Sequence, residues 1–483
     1  MDPRIELNRD LSRRAFFGRS STGIGAIALA SLLNGRLFAG DDADTLATRG
    51  AMPRLHFAPK AKRVIYLFQS GGPSHIDLYD PKPVLAQRVG EDLPDSVRKG
   101  QRITGMTSGQ SRLQMVGPAH SFKPFGSNGM EFCEHLPEIG SIADEIAMVR
   151  SMHTDPINHD PAVTFLLTGN QQPGRPTLGS WMSYGLGSEN ENMPAYVVLI
   201  SGGGGQPLLS RYWHNGFLPS SHQGVQFRSA GDPVLFVSNP DGVTPVIRRE
   251  LLDAKRALDE IALDTVGDPE IRTRINAYEL AYRMQTSVPE LMDIADEPQE
   301  ILDLYGAQPG KPLSFANNCL LARRMAERDV RFIQLYHRDW DHHGDLPREL
   351  KRQCGEVDRP AAALVKDLKR LGLLDSTLVI WGGEFGRTAY SQGAISKESF
   401  GRDHHPRCFS IWMAGGGIKP GVLMGKTDDF GYNIEEEPVH VHDFQATVLH
   451  CLGIDHTRMT YRFQGRDFRL TDVSGNVVKK LLA

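Results

Sequence analysis

At 483 residues the chain can bury a large core and form one big domain or two to three ordinary ones. It is 40% apolar and 23% charged, as soluble globular proteins are, and 54 basic against 58 acidic residues leave a net charge of −4. That balance lends no support to a nucleic-acid partner. The five cysteines, Cys133, Cys319, Cys354, Cys408 and Cys451, are scattered and lack a Cys-x-x-Cys pair, which argues against a disulfide framework or a structural zinc knuckle.

The first forty residues differ in kind from the rest. Ser12-Arg13-Arg14-Ala15-Phe16-Phe17 precedes a weakly apolar run from about Gly23 to Leu33, then small residues near Ala39-Gly40. An Arg pair before a modest apolar segment resembles a twin-arginine export signal; the competing reading is the basic start of an ordinary Sec signal. The run is too short and too rich in Gly and Ser to span a bilayer stably. The expectation is a periplasmic or extracellular protein, handled by the twin-arginine export machinery, with a signal segment over 1–40 and a linker over 41–61.

From Lys62 strands alternate with helices. Val64-Ile-Tyr-Leu-Phe68 is a continuous apolar run ending in Gln69-Ser-Gly-Gly72, as for a buried parallel strand feeding a loop. Ile146 to Arg150, Ala195 to Ile200, Val330 to Tyr336, Thr377 to Trp381 and Cys408 to Met413 repeat the signal. Val357, Ala361, Leu364, Leu368 and Leu371 fall at helical spacing, closed by Gly372. This alternation predicts an α/β fold with a mostly parallel central sheet and helices on both faces, filling residues 62–476 before a short tail at 477–483. Residues 201 to about 240 read as irregular loop, and 245–330 as mainly helical. The stretch 201–310 is expected to be an insertion or cap on the sheet.

In such sheets the working groups sit on loops beyond the carboxyl ends of the strands. Asp339-Trp-Asp-His-His343-Gly344 follows one predicted strand and Gly382-Gly-Glu384-Phe-Gly-Arg387 another, while Asp403-His404-His405-Pro406 precedes a third. Carboxylates and neutral imidazoles are the donors that zinc-like or manganese-like ions take. Asp339 and His343, four apart, can reach one ion, with His405 as a third ligand. Glu384 can bind metal, and Arg387 can hold an anionic oxygen bidentately, unless the two simply pair on the surface. Asn158-His159-Asp160-Pro161 opens a short helix, whose start suits an anion; His159 and Asp160 are candidates for ligand, base or nucleophile, although Asp160 also suits a plain N-cap. Gly71-Gly-Pro-Ser-His75-Ile-Asp77 is a weaker cluster. His440 and His442 read as a strand end running into a core helix.

With those positions in view, the chain resembles the alkaline phosphatase and sulfatase superfamily, closest to the twin-arginine-exported branch known as domain of unknown function 1501. The resemblance runs from about Arg63 to Phe468. Val64 to Phe68 resembles the superfamily's first strand. Pro161-Ala-Val-Thr-Phe-Leu-Leu-Thr-Gly169 is similar to a sulfatase helix reading Pro-Ser-Arg-Ala-Ala-Leu-Leu-Thr-Gly. Leu378-Val-Ile-Trp-Gly-Gly-Glu-Phe-Gly386 resembles the strand that normally ends in Asp-His-Gly, and Val441-His-Asp443-Phe-Gln-Ala-Thr447 resembles the helix after the last metal ligand.

What the resemblance implies is carried over position by position. Asp339, His343 and His405 match three ligands of one metal. The second site departs from the pattern: the acid expected after the first strand falls near Gln69 or Ser70, and the Asp-His pair becomes Glu384-Phe385. The nucleophile, two residues before the helix proline, becomes His159; no cysteine sits in the sulfatase motif, so a formylglycine enzyme is not expected.

Two accounts fit. In one, His159, His75, His404 and Glu384 rebuild a second metal site, and metal-activated water attacks the ester, with phosphohistidine-like chemistry at His159 as a variant. In the other, the fold keeps one structural ion and serves binding or surface assembly. The expected site is therefore His159 and Asp160 for catalysis, Arg387 and Asn158 for the anionic ester, and Asp339, His343, His405, Glu384, His404 and His75 for one or two divalent ions, zinc, manganese or iron rather than calcium.

Overall fold

A computed structural model of the protein describes residues 50–483, apart from 236, 397 and 398. The expected export segment and the first part of the linker lie outside the described residues. Among those described, no helix is long and apolar enough to cross a membrane.

Strand β1 (Arg63–Gln69) is buried at every position, which is why its sequence is unbroken apolar rather than alternating. A hairpin of β2 (Phe122–Phe125) and β3 (Met130–Cys133) follows, off the main sheet. Next come β4 (Ile146–His153), β5 (Tyr196–Ser201) and β6 (Val225–Phe227), then β7 (Phe332–His337) and β8 (Thr377–Gly382). A second hairpin, β9 (Gly386–Gln392) with β10 (Gly401–His405), leads to β11 (Phe409–Ala414) and β12 (Val422–Met424). The central sheet has nine strands in the order β12-β4-β11-β8-β1-β7-β5-β6, with Val439–His440 added beside β4.

Every pairing in that sheet is parallel except those of β11 with β4 and β8. Two reversals restore direction, so β4 runs the same way as β8, β1 and β7. The carboxyl ends of these four strands therefore leave along one edge, and the amino end of the reversed β11 starts there too. This edge carries the loops singled out above.

Helices cover both faces, as expected. Val64, Tyr66 and Phe68 of β1 pack with α1 (His159–Thr168), α2 (Leu178–Leu186) and residues near the C-terminus. Ile65 and Leu67 point the other way, as strand geometry requires, and join the core under the remaining large helices. Those are α3 (Pro245–Val266), α4 (Pro269–Met292), α5 (Phe315–Glu327) and α6 (Leu346–Arg370), of which α4, α5 and α6 supply the core contacts. The last helix, α7 (Val441–Cys451), lies on the β1 Val64 face; His440 is its N-cap, in a reciprocal cap with Asp443, which is the structural role read for that stretch.

Two boundaries differ from the sequence reading. Helix α6 starts at Leu346, well before Val357, because Leu346, Leu350 and Cys354 continue the buried stripe, and Pro347 in its first turn has no intrahelical N–H partner to lose. The stretch read as irregular loop after residue 201 contains β6, which extends the sheet edge beside β5.

Candidate metal centre

Five segments meet at the sheet edge. β1 ends in the Gly71-Gly72 turn, where Gly71 has φ +115° and an added Cβ would sit 2.7 Å from the Asp341 backbone nitrogen. Only glycine lets these two loops touch. β4 leads through a short loop into α1, whose first residue is His159. β7 leads to the Asp339–Asp345 loop, β8 to Glu384 and Phe385, and β10 carries His404.

Three imidazoles converge on one carboxylate oxygen. The Nε2 atoms of His159, His343 and His404 lie 3.1, 2.8 and 3.4 Å from Asp341 Oδ1. Ligand atoms of these four residues all fall within 4.8 Å of one another. A second layer fixes the rings: His159 Nδ1 is 2.5 Å from Glu384 Oε1, and the Gly71 N–H donates to that same carboxylate oxygen at 3.1 Å. His404 Nδ1 is 2.9 Å from the Ile157 carbonyl, which can only accept, so the proton sits on Nδ1 and the Nε2 lone pair faces the cluster. Phe385 packs against both rings, with centroids 4.8 Å from His159 and 4.7 Å from His404.

The donor set fits a transition-metal ion. His159 Nε2 is buried and, among the described residues, has no partner in line for a hydrogen bond despite its closeness to Asp341. Such an orphaned ring nitrogen is costly unless something else engages it. Three imidazoles and one carboxylate match the ligands of zinc, manganese or iron better than the all-oxygen shell of calcium.

Charge is tightly organised. Burial would raise the Asp341 carboxyl, yet His159, His343, His404 and Arg387 together hold it far below the usual carboxylate range, so it is ionised throughout the physiological range. Burial lowers His404 to about 3, with Arg387 and His159 adding to the effect. His159 moves the other way: burial lowers it, but Asp341 and Glu384 outweigh that and raise it. Burial also brings His342 down to about 4, with its Nε2 turned to the Asp339 carbonyl at 3.0 Å.

The sequence-predicted residues divide sharply. His159, His343 and His404 are brought together; Asp339 and His405, expected to complete a triad with His343, are not part of the cluster. Asp339 has φ +86° and its carboxylate pairs with Arg352 on α6, so Asp341 takes the place assigned to it. His405 lies on the opposite side of β10 from His404, stacked on Tyr432 at 4.1 Å with Nε2 2.8 Å from the Tyr432 carbonyl. Glu384 backs His159 from behind instead of joining the donor atoms. His75 turns its Nε2 to the Gly431 carbonyl at 3.0 Å, and its Nδ1 accepts from the Arg387 backbone.

Of the residues expected to act on the substrate, Asp160 and Arg387 are engaged by other protein groups. Asp160 pairs with Arg211 and accepts from the Tyr212 hydroxyl at 2.9 Å. Asn158 holds the N-cap position of α1 without a side-chain cap bond, so neither it nor Asp160 acts as the capping side chain. Arg387 is buried, donating to the Gly72 carbonyl at 2.7 Å, the Arg402 carbonyl at 3.2 Å, the Gly71 carbonyl, and Asp341 Oδ1 at 2.7 Å. It does not form the surface pair with Glu384 that was the alternative. Gln206, which no motif announced, donates to Asp341 Oδ2 at 2.6 Å from the glycine-rich loop after β5.

The family described as "Protein of unknown function (DUF1501)" matches residues 61–482. No curated protein sequence matches the chain. Among solved structures, the PsFucS1 sulfatase from Pseudoalteromonas sp. is similar at 13% identity and a TM-score of 0.35, covering 82% of this chain and 68% of the sulfatase. The phosphonate monoester hydrolase SpPMH from Silicibacter pomeroyi is similar at 11% identity and 0.33, covering 81% and 73%. A protein in the alkaline phosphatase superfamily from Vibrio parahaemolyticus is similar at 12% identity and 0.33, covering 86% and 74%.

Proposed function

The chain belongs to the DUF1501 family, and on that premise we propose that it is an exported, metal-dependent hydrolase of phosphate or sulfate esters. His159, Asp341, His343 and His404 hold the ion in this reading. The observation that carries it is the convergence of three imidazole Nε2 atoms on Asp341 Oδ1, with His159 Nε2 buried and unpartnered among the described residues. When bound, a divalent transition metal there supplies a polarising charge and lowers the pKa of water to about 7.

The chain's own groups do the rest of the positioning. Glu384 holds the Nδ1 proton of His159 and is itself fixed by the Gly71 N–H. With one nitrogen engaged by Glu384 and the other facing the cluster, His159 serves as a ligand and not as a nucleophile. Phe385 keeps water from one flank of both His159 and His404. Asp341 stays charged and balances the ion.

A non-catalytic, metal-stabilised binding role is favoured by one observation: the Arg387 guanidinium is already taken by carbonyls and Asp341, leaving little of it for an anion. Elemental analysis of purified protein, followed by assay on aryl phosphate, phosphodiester and sulfate esters, separates the two. Bound zinc, manganese or iron with turnover lost in His343→Ala supports the hydrolase. Bound metal without turnover on any of these esters supports the binding role.

A further inference from the structure

The β2–β3 hairpin gathers a second group of ligand-type side chains, separate from the four of the interior cluster. Phe122 pairs with Cys133 at its open end, and the ladder runs one step further, with the Glu134 N–H donating to the Ser121 carbonyl at 2.9 Å. That register sets His120 across from His135, rings edge to face with centroids 4.4 Å apart. Ligand atoms of His120, Glu134 and His135 lie within 4.8 Å of one another. A tetrahedral ion with bonds of about 2 Å holds its donors roughly 3.4 Å apart, so small rotations of half-exposed side chains close the gap.

Two of the three side chains are already oriented. His120 Nε2 is 2.8 Å from the Pro347 carbonyl, which places the proton on Nε2 and leaves Nδ1 as the donor atom. Glu134 accepts the Ser121 N–H on Oε1 at 3.3 Å, leaving its other oxygen. Backbone-anchored imidazole and carboxylate ligands are what metal sites use to fix ring orientation.

We propose that His120, Glu134 and His135 bind a divalent transition-metal ion of the zinc class, at a surface site distinct from the interior cluster, with a fourth position open to water. Two imidazoles and one carboxylate form a known zinc donor set. The ion ties the base of the hairpin to the first turn of α6, since His120 grips Pro347, a few residues beyond His343. Lys351, also on α6, carries a positive charge that acts on His135 and opposes a cation there.

The test is zinc titration of chelator-stripped, full-length protein by calorimetry. Wild type is expected to bind one zinc more than His120→Ala/His135→Ala. His343→Ala, which alters only the interior cluster, is expected to keep the surface equivalent. Lys351→Gln is expected to tighten that equivalent by about twofold, the size of one exposed charge interaction. Equal zinc uptake by wild type and a folded double variant overturns the proposal. If the double variant does not fold, Lys351→Gln decides: a surface equivalent tightened in it supports the site, and zinc binding identical to wild type overturns it.

Discussion

Glu384 Oε1 stands 2.5 Å from His159 Nδ1, and Glu384 is fully buried. A carboxylate behind a ligand imidazole orients the ring and raises its basicity. Glu384→Gln keeps an acceptor but loses the charge, and Glu384→Ala loses both. Metal affinity is expected to fall about tenfold in the first and about 100-fold in the second, read by competition with a chromophoric chelator.

Asp341 and Asp339 make opposite predictions. Asp341→Ala removes the oxygen on which three imidazoles converge, and the purified variant is expected to lack the interior ion. Asp339→Asn, which tolerates the positive φ, is expected to keep wild-type metal content. It forfeits only a partly exposed pair with Arg352, worth at most about 1 kcal/mol. Elemental analysis of the two variants separates the assignments.

Acid sensitivity follows from buried neutral histidines. Burial holds His404 and His405 each at about 3 in the folded protein. The unfolded chain takes up these protons near pH 6.5, so metal-stripped protein loses stability as pH falls from about 6.5 towards 3. His159, raised by Asp341 and Glu384, works in the opposite sense: its contribution is full below about 6.5 and is lost as pH rises through its folded value. Thermal unfolding of the stripped protein should show a melting temperature that drops on acidification, with a shallower slope in His405→Gln.

Arg402 and Asp77 form a pair with both side chains fully buried, at 2.7 Å. Arg402 also donates to the Thr388 and Gly117 carbonyls, so the pair joins the β9–β10 hairpin to the segment after β1. Asp77→Asn leaves the guanidinium buried without its counter-charge. A loss of about 3–5 kcal/mol is expected, measured by urea unfolding.

How far the sequence could be read depended on whether backbone periodicity decided the matter. Unbroken apolar runs such as Val64 to Phe68 have few alternatives to a buried parallel strand, so the sheet and its two helical layers were legible. The loop clusters were legible as groups, because ligand-type residues crowd at strand ends. Which member of each cluster faces inward was not. His404 and His405 are equivalent by composition, and only the register of β10 against β9 sends one inward and the other towards Tyr432. Asp339 and Asp341 share strand parity, and the choice falls to a left-handed residue and to Arg352 across the loop. Gln206 belongs to no motif, and its contact arises only when the loop after β5 folds over β7's.

The single reversed strand has a consequence for how the protein matures. Because β11 runs against its neighbours, His404 arrives on the incoming side of a strand while His159 and His343 arrive on the outgoing side of others. A nascent chain halted before residue 404 presents an incomplete cage, and a complete one requires the late hairpin to dock against strands made much earlier. In the proposed reading, ion capture therefore requires that β4, β7 and the β9–β10 hairpin have already come together, and a stripped, folded chain should reload far faster than a denatured one.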